Sequence, residues 1–284
     1  MTARWIVGID GSTTAVDALR WAARHGRTRH VELTALGAFQ VPGYLALFSA
    51  KRGFGVDEVG LAATAGHEID VALEQVADEV QPGEITVQPV VVEGPAAHVL
   101  VDAAAEPDVS LLVVGRRGTS ELRGHIFGSV SRYCVTHASV PVVVVPSGWD
   151  VPPAARIVVG FDGSEEATNA VRWALEFARD AEVTVLSAID LAPWISPELT
   201  RERFPDEVAA EEARINGLLD EIDPDQRAQR SIVLHGPRQA LAEAVGDYDL
   251  LVVGAAGTGR AVGLGSVSTW SLHDSPVPVV VVPA

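Results

Sequence analysis

The sequence predicts an α/β protein built from two tandem doubly wound, Rossmann-like domains. Each is a five-stranded parallel sheet with helices on both faces. Three observations carry this. Short Val/Ile-rich runs alternate with helical patterns along all 284 residues. The runs are apolar on both faces, as strands of a parallel sheet covered on two sides must be. The whole pattern also occurs twice, in five matching blocks. "RWIVGIDGSTTAVDALRWAARHG" returns as "RIVVGFDGSEEATNAVRWALEFA", and "PVVVEGPAAHVLVDAA" as "SIVLHGPRQALAEAV". "VSLLVVGRRG" returns as "YDLLVVGAAG", "GSVS" recurs at 128 and 265, and "SVPVVVVP" returns as "PVPVVVVP". Matching blocks in one order mean a duplicated domain.

Taken in chain order, "WIVGI" is the first strand, and Thr13 to His25 forms a helix with Ala15, Leu19 and Ala22 on one face. "VELTALGAF" and "ITVQPVVV" are strands two and three. Between them, residues 43–70 are longer than their counterpart and read as a partly irregular insertion leading into a helix. "AAHVLVDAAA" is helical, "SLLVVG" is strand four, "GSVSRYCVTH" a helix and "VPVVVV" the last strand. Right-handed crossovers complete the fold. The Pro/Gly-rich "PSGWDVPPAA" is a linker, so the domains are expected at 1–147 and 154–284.

Composition narrows the function. With 48% hydrophobic residues the chain can fill two cores. A formal charge of −17 repels phosphate backbones and argues against a nucleic-acid partner. No apolar run reaches the roughly 20 residues of a membrane helix. The start enters a strand without a signal-peptide layout. One cysteine, Cys134, makes no intramolecular disulfide, and no Cys/His spacing suits zinc. A cytoplasmic protein is expected.

In such sheets a ligand binds beyond the carboxyl ends of the strands, where the strand order reverses. Two segments should meet there: "GIDGS" at 8–12 (with "GFDGS" at 160–164), and the end of strand four, "VVGRRGTSELRGHIFGSVS" at 113–131. Gly115 and Gly118 are expected to supply positive backbone angles and close approach to a ligand. Gly128-Ser129 opens a helix whose free amides and positive dipole end attract an anion, and Ser129 can cap that helix or donate to a phosphate. The pattern suits a di- or triphosphate without a lysine. It is neither a Walker loop, since Gly-Lys-Ser/Thr occurs nowhere, nor the tight dinucleotide fingerprint.

Gly115, two residues, Gly118, nine residues, Gly128-Ser129 is a spacing that resembles the signature of the universal stress protein family. Together with "GIDGS" and the closing "VPVVVV", the likeness covers essentially the whole chain and is to the family's tandem form. It implies an ATP site with Mg2+ accompanying the nucleotide. Asp10 matches the acidic residue near ribose and phosphates, flanked by Ile9 and Gly11. Ala38 and Val92 match small apolar contacts to adenine, and Val114 and Gly115 approach the ribose. Gly118, Gly128, Ser129, Val130 and Ser131 match the phosphate grip. In the second copy the counterparts are Phe161, Asp162, Gly163, Ala188, Val253, Gly254, Gly257, Gly265, Ser266, Val267 and Ser268. There only seven residues separate Gly257 from Gly265.

Plainer roles compete at several positions. Asp10 and Asp162 also suit capping of the first helix beside Ser12 and Ser164. Gly115 and Gly254 also suit helix–sheet packing. Arg116, Arg117 and Arg123 are either phosphate contacts or solvated loop residues. His125 is the local candidate for acid–base chemistry, against a surface role. Cys134, Trp21 and Trp173 read as packing residues.

No clear general base, nucleophile–base pair or γ-phosphate lysine is legible, so the resemblance implies regulatory binding rather than turnover. Alternatives are a slow ATPase or nucleotide transferase, and a scaffold for an unidentified protein partner with a vestigial second site. The two sites are expected to be unequal. Ala255-Ala256 replaces Arg116-Arg117, and the second loop carries extra glycines that are costly to order. The uncharged last strands are pairing hazards if exposed. In the family that the chain resembles these strands meet across a two-fold interface, so the resemblance implies that the two copies form a pseudo-symmetric pair, with further homodimerisation through helical faces.

Overall fold

The computed structural model describes residues 3–41, 58–80, 83–118, 128–150, 153–178, 180–192, 194–257 and 264–284. The chain divides into two units, Met1–Pro152 and Pro153–Ala284. The first contains β1 (Arg4–Ile9), α1 (Thr13–Arg27), β2 (Glu32–Phe39), α2 (Glu58–Gln75), β3 (Thr86–Glu93), α3 (Ala96–Ala104), β4 (Val109–Gly115), α4 (Ser129–His137) and β5 (Val142–Val145). Its strand order is β3-β2-β1-β4-β5, and every adjacent pair is parallel. The order reverses between β1 and β4, which puts the carboxyl ends of those strands on either side of one crevice. Pro89 lies in β3, the outermost strand of its unit, where a missing amide is least costly.

The second unit contains β6 (Arg156–Gly160), α5 (Glu165–Phe177), β7 (Glu182–Ala188), α6 (Pro197–Arg203), α7 (Pro205–Ile222), β8 (Gln229–Val233), α8 (Pro237–Ala244), β9 (Leu250–Gly254), α9 (Ser266–Asp274) and β10 (Val279–Val282). Its order, β10-β9-β6-β7-β8, repeats that of the first, again with parallel neighbours. The switch point now lies between β6 and β9. Of the expected insertion at 43–70, residues 42–57 lie outside the described residues, and the rest enters α2.

Local chemistry explains the element starts. The Ser12 hydroxyl accepts the Ala15 amide at 3.2 Å, and the Ser164 hydroxyl accepts the Ala167 amide at 3.2 Å. Each hydroxyl satisfies one of the amides that a helix cannot pair internally. The apolar stripe of α1 then lies on the sheet, with Ala18, Leu19 and Ala22 fully buried. Trp21 stacks on Trp5 at 6.1 Å and on His25 at 4.1 Å. Its counterpart Trp173 is only half-buried and stacks on Phe177 at 4.5 Å. The repeated tryptophan therefore packs differently in each unit, because Trp5 is replaced by Ile157 and His25 by Phe177.

The segment read as linker begins later than its composition suggests. Gly148 donates its amide to Asp17 at 2.8 Å, Arg24 pairs with Asp150 at 2.8 Å, and Trp149 is only 5% exposed. Residues 147–150 are thus a strap on α1, which glycine and proline content alone does not reveal. Cys134 is fully buried, and burial pushes its thiol up to about 12, so it is an inert packing residue.

Candidate functional site

Each unit has a cleft at its switch point. The first, about 210 Å³, is lined by the end of β1 (Ile9, Asp10), Ala38 of β2, and Val114 and Gly115 of β4. Gly118 and the entry of α4, Gly128, Ser129, Val130 and Ser131, complete it. The two segments that strand order predicted should meet do meet. Gly11 and Val92 are not among the lining residues. Gly11 turns the chain at φ +75°, and Val92 is half-buried opposite Ala38 in the β2–β3 register. Lining residues that sequence reasoning did not assign to the site include Gly8, Leu36, Ala96 and Leu100, and Arg117, one of the arginines weighed as a phosphate contact, lines the cleft on the loop side.

The second cleft is larger, about 560 Å³. It gathers Phe161, Asp162, Ala188, Val253, Gly254 and Gly257 with the α9 entry, Gly265, Ser266, Val267 and Ser268. Gly163, at φ +83°, is not among the lining residues. Contributors that were not legible include Asp190, and Glu211, Arg214 and Ile215 of α7, with Leu186, Pro237 and Leu241.

The aspartates are held by more than helix capping. Oδ1 of Asp10 accepts the Ser12 amide at 3.1 Å and the Ser12 hydroxyl at 2.6 Å, while Ser12 itself is the cap of α1. Oδ2 faces Gly118, where any Cβ would collide with it. Asp162 repeats this arrangement. Its Oδ1 accepts the Ser164 amide at 3.0 Å, and a Cβ on Gly257 would lie 2.7 Å from its Oδ2. One carboxylate oxygen is therefore fixed by the turn and the other is presented to the glycine loop.

The glycines have roles other than those their spacing suggested. Among the described glycines, positive φ occurs at Gly11, Gly83, Gly94, Gly148 and Gly163, and at neither Gly115 nor Gly118. Gly115 is there for packing: a Cβ would sit 2.6 Å from Oγ1 and 2.7 Å from the carbonyl carbon of Thr14. Gly254 meets the backbone of Glu166 at 2.7 Å in the same way. Gly118 and Gly257 leave room for the aspartates. The expectation of left-handed backbone is corrected, and the glycines instead let α1, α5 and the carboxylates crowd against the strand-four loop.

At the α4 entry the Gly128 amide donates to the Arg116 carbonyl at 3.1 Å, and the first intrahelical bond runs from Arg132 to Gly128. The amides of Ser129, Val130 and Ser131 precede that bond, and these residues line the cleft. The Gly265 amide likewise donates to Ala255 at 2.9 Å, and Thr269 makes the first bond of α9. The inner hydroxyls are used structurally. Ser131 donates to the Gly115 and Arg116 carbonyls, and Ser268 donates to the Gly254 carbonyl at 2.7 Å. Arg123 and His125 lie outside the described residues. Among the described residues no three His, Cys, Asp or Glu side chains form a metal-holding group, and no helix is long and apolar enough to cross a membrane.

The sequence model of the universal stress protein family matches residues 1–146 and again 154–283. Universal stress protein Rv2623 of Mycobacterium tuberculosis (strain ATCC 25618 / H37Rv) is 30% identical over 296 residues, spanning 97% of this chain and 95% of the relative. Universal stress protein Rv1996 of the same strain is 30% identical over 305 residues, spanning 97% and 93%. In fold, a universal stress protein from Archaeoglobus fulgidus DSM 4304 superposes with a TM-score of 0.65 at 18% identity, covering 99% of this chain and 98% of that one. Two copies of one switch-point cleft, each inside a full-length family match, lead to one assignment: the chain belongs to the universal stress protein family, in its tandem two-domain form.

Proposed function

We propose that the protein binds an adenine nucleotide, ATP with Mg2+, in its switch-point clefts, and acts in the cytoplasm as a regulatory binder in the stress response. The observation that carries this reading is the first cleft itself. The Asp10 carboxylate, the Gly115–Gly118 loop and the entry of α4 line one cavity. Amides at a helix start suit phosphate oxygens, and a carboxylate suits ribose hydroxyls or a cation carried on the phosphates. Ser129 and Ser266 remain available as phosphate donors, whereas the hydroxyls of Ser131 and Ser268 are committed to strand carbonyls. The magnesium accompanies the nucleotide, as the likeness to the family implies. The apolar strand ends, Ala38 and Val114 in one unit and Ala188 and Val253 in the other, would take the base. We also keep, on the sequence of the last strands alone, the reading that the copies pair and that chains can dimerise.

The test is to denature the freshly purified protein and identify the released ligand, then titrate the emptied protein with ATP, ADP, AMP and cyclic AMP. Intact ATP, or tight rebinding of it, is the expected result. A protein that takes up no adenine nucleotide overturns the proposal. Steady release of ADP overturns its non-catalytic part.

A further inference from the structure

We infer that one position of the helix beside each cleft, Glu68 in the first unit and Arg214 in the second, sets that cleft's preference for charged ligands, making the second unit the anion-selective site. This rests on reading the clefts as nucleotide sites. It inverts the ranking expected from loop length and from Ala255-Ala256.

The niche beside each cleft aspartate is parallel in the two units, with Arg214 among the lining residues of its cleft and Glu68 against Gly11, outside the lining of the first. Gly11 and Gly163 directly follow the cleft aspartates, at φ +75° and +83°, and each packs against the helix. A Cβ on Gly11 would lie 3.0 Å from Cδ of Glu68, and one on Gly163 would lie 2.8 Å from Nη1 of Arg214. The same niche therefore holds a carboxylate in one unit and a guanidinium in the other. In the first unit burial, and then the charge of Asp10, push the Glu68 carboxyl up, as expected for two acids placed together.

In the second unit Arg214 is oriented rather than loose. Its Nε donates to Glu211 at 2.8 Å and its Nη2 at 2.6 Å, which leaves Nη1 on the Gly163 side. The arginine lines the cleft with Asp162, and the two attract. Glu211 and Asp190 also line this cleft and Arg117 lines the loop side of the first, so the effect comes from a cation placed beside the cleft aspartate and not from net charge. The cavity of about 560 Å³ falls within the roughly 300–1,000 Å³ usual for small-molecule sites. The first, about 210 Å³, has to widen to admit a nucleotide.

The test titrates ATP and uncharged adenosine into the full chain and into Arg214→Glu, Arg214→Gln and Glu68→Arg. Each is repeated in Gly128→Glu and Gly265→Glu backgrounds, which obstruct one helix entry and leave the other. Arg214→Glu should weaken ATP at the second cleft about tenfold or more, with Arg214→Gln intermediate and adenosine nearly unchanged. Glu68→Arg should strengthen ATP at the first cleft several-fold by the same logic. Equal losses for ATP and adenosine, or ATP affinities unmoved by either reversal, overturn the inference and leave the proposed function standing. A wild-type chain that binds neither ligand overturns both.

Discussion

Replacing Gly115 by valine should destabilise the first unit by about 3 kcal/mol or more, because overpacking that must displace backbone lies at the upper end of such costs. The added Cβ alone meets the Thr14 carbonyl carbon at 2.7 Å and its Oγ1 at 2.6 Å. Thr14 cannot step aside cheaply. It sits in the first turn of α1, its hydroxyl donates to the Arg117 carbonyl, and the helix behind it is buried on the sheet. The internal control is Gly265→Ala, whose nearest described neighbour is 3.5 Å from the new carbon. That change should cost under about 1 kcal/mol, chiefly a weaker helix start. Urea denaturation followed through the Trp5, Trp21 and Trp149 cluster reports the first unit, and Trp173 and Trp270 report the second. A Gly115 variant as stable as the Gly265 variant would show that α1 and β4 do not pack as described.

A second large effect is expected from pH. His25 is 1% exposed, and burial, helped by the charges of Arg29 and Arg24, pushes its ring down to about 3. The ring donates from Nδ1 to the Trp21 carbonyl at 2.9 Å and stacks on that indole, with Trp149 at 6.2 Å. In the unfolded chain the same ring takes up a proton near pH 6.5. The unfolded state therefore binds the extra proton first as the pH falls. The stability tied to the neutral ring is complete above about pH 6.5 and is lost progressively down to about 3. At pH 4 the loss should be on the order of 3 kcal/mol. Asp17, which burial pushes up, works in the opposite direction, so the informative quantity is a difference between variants. His25→Phe keeps a ring between the indoles and removes the titration. Its denaturation midpoint should fall less between pH 6.5 and 4 than that of wild type. Parallel curves would contradict the buried neutral histidine.

The fold was legible because burial on both faces and helical periodicity leave direct marks on sequence, and because duplication supplied the five strands and the helices of the matching blocks twice. The switch point follows from parallel topology, so the meeting of Asp10 with Gly118 and Gly128 could be anticipated. What each glycine is for could not. Spacing says that side chains are excluded at 115 and 118 but not what excludes them, and here the excluding groups are Thr14 and Asp10. Arg214 and Glu68 were missed for a different reason. They come from helices joined to the sheet by segments of unlike length, so the repeat gives no register between them. The strap at 147–150 hid behind a composition that usually means linker, although Trp149 within it was a sign of burial.

Whether the switch-point clefts take adenine nucleotides can be read by native mass spectrometry of the intact chain equilibrated with Mg·ATP. Mass increments of one and then two nucleotides per chain are expected. The first increment should survive to the lower ATP concentration, and Gly128→Glu or Gly265→Glu should each remove one. A chain that keeps its bare mass at millimolar ATP, or binds nucleotide equally well with both helix entries blocked, would contradict nucleotide binding in these clefts.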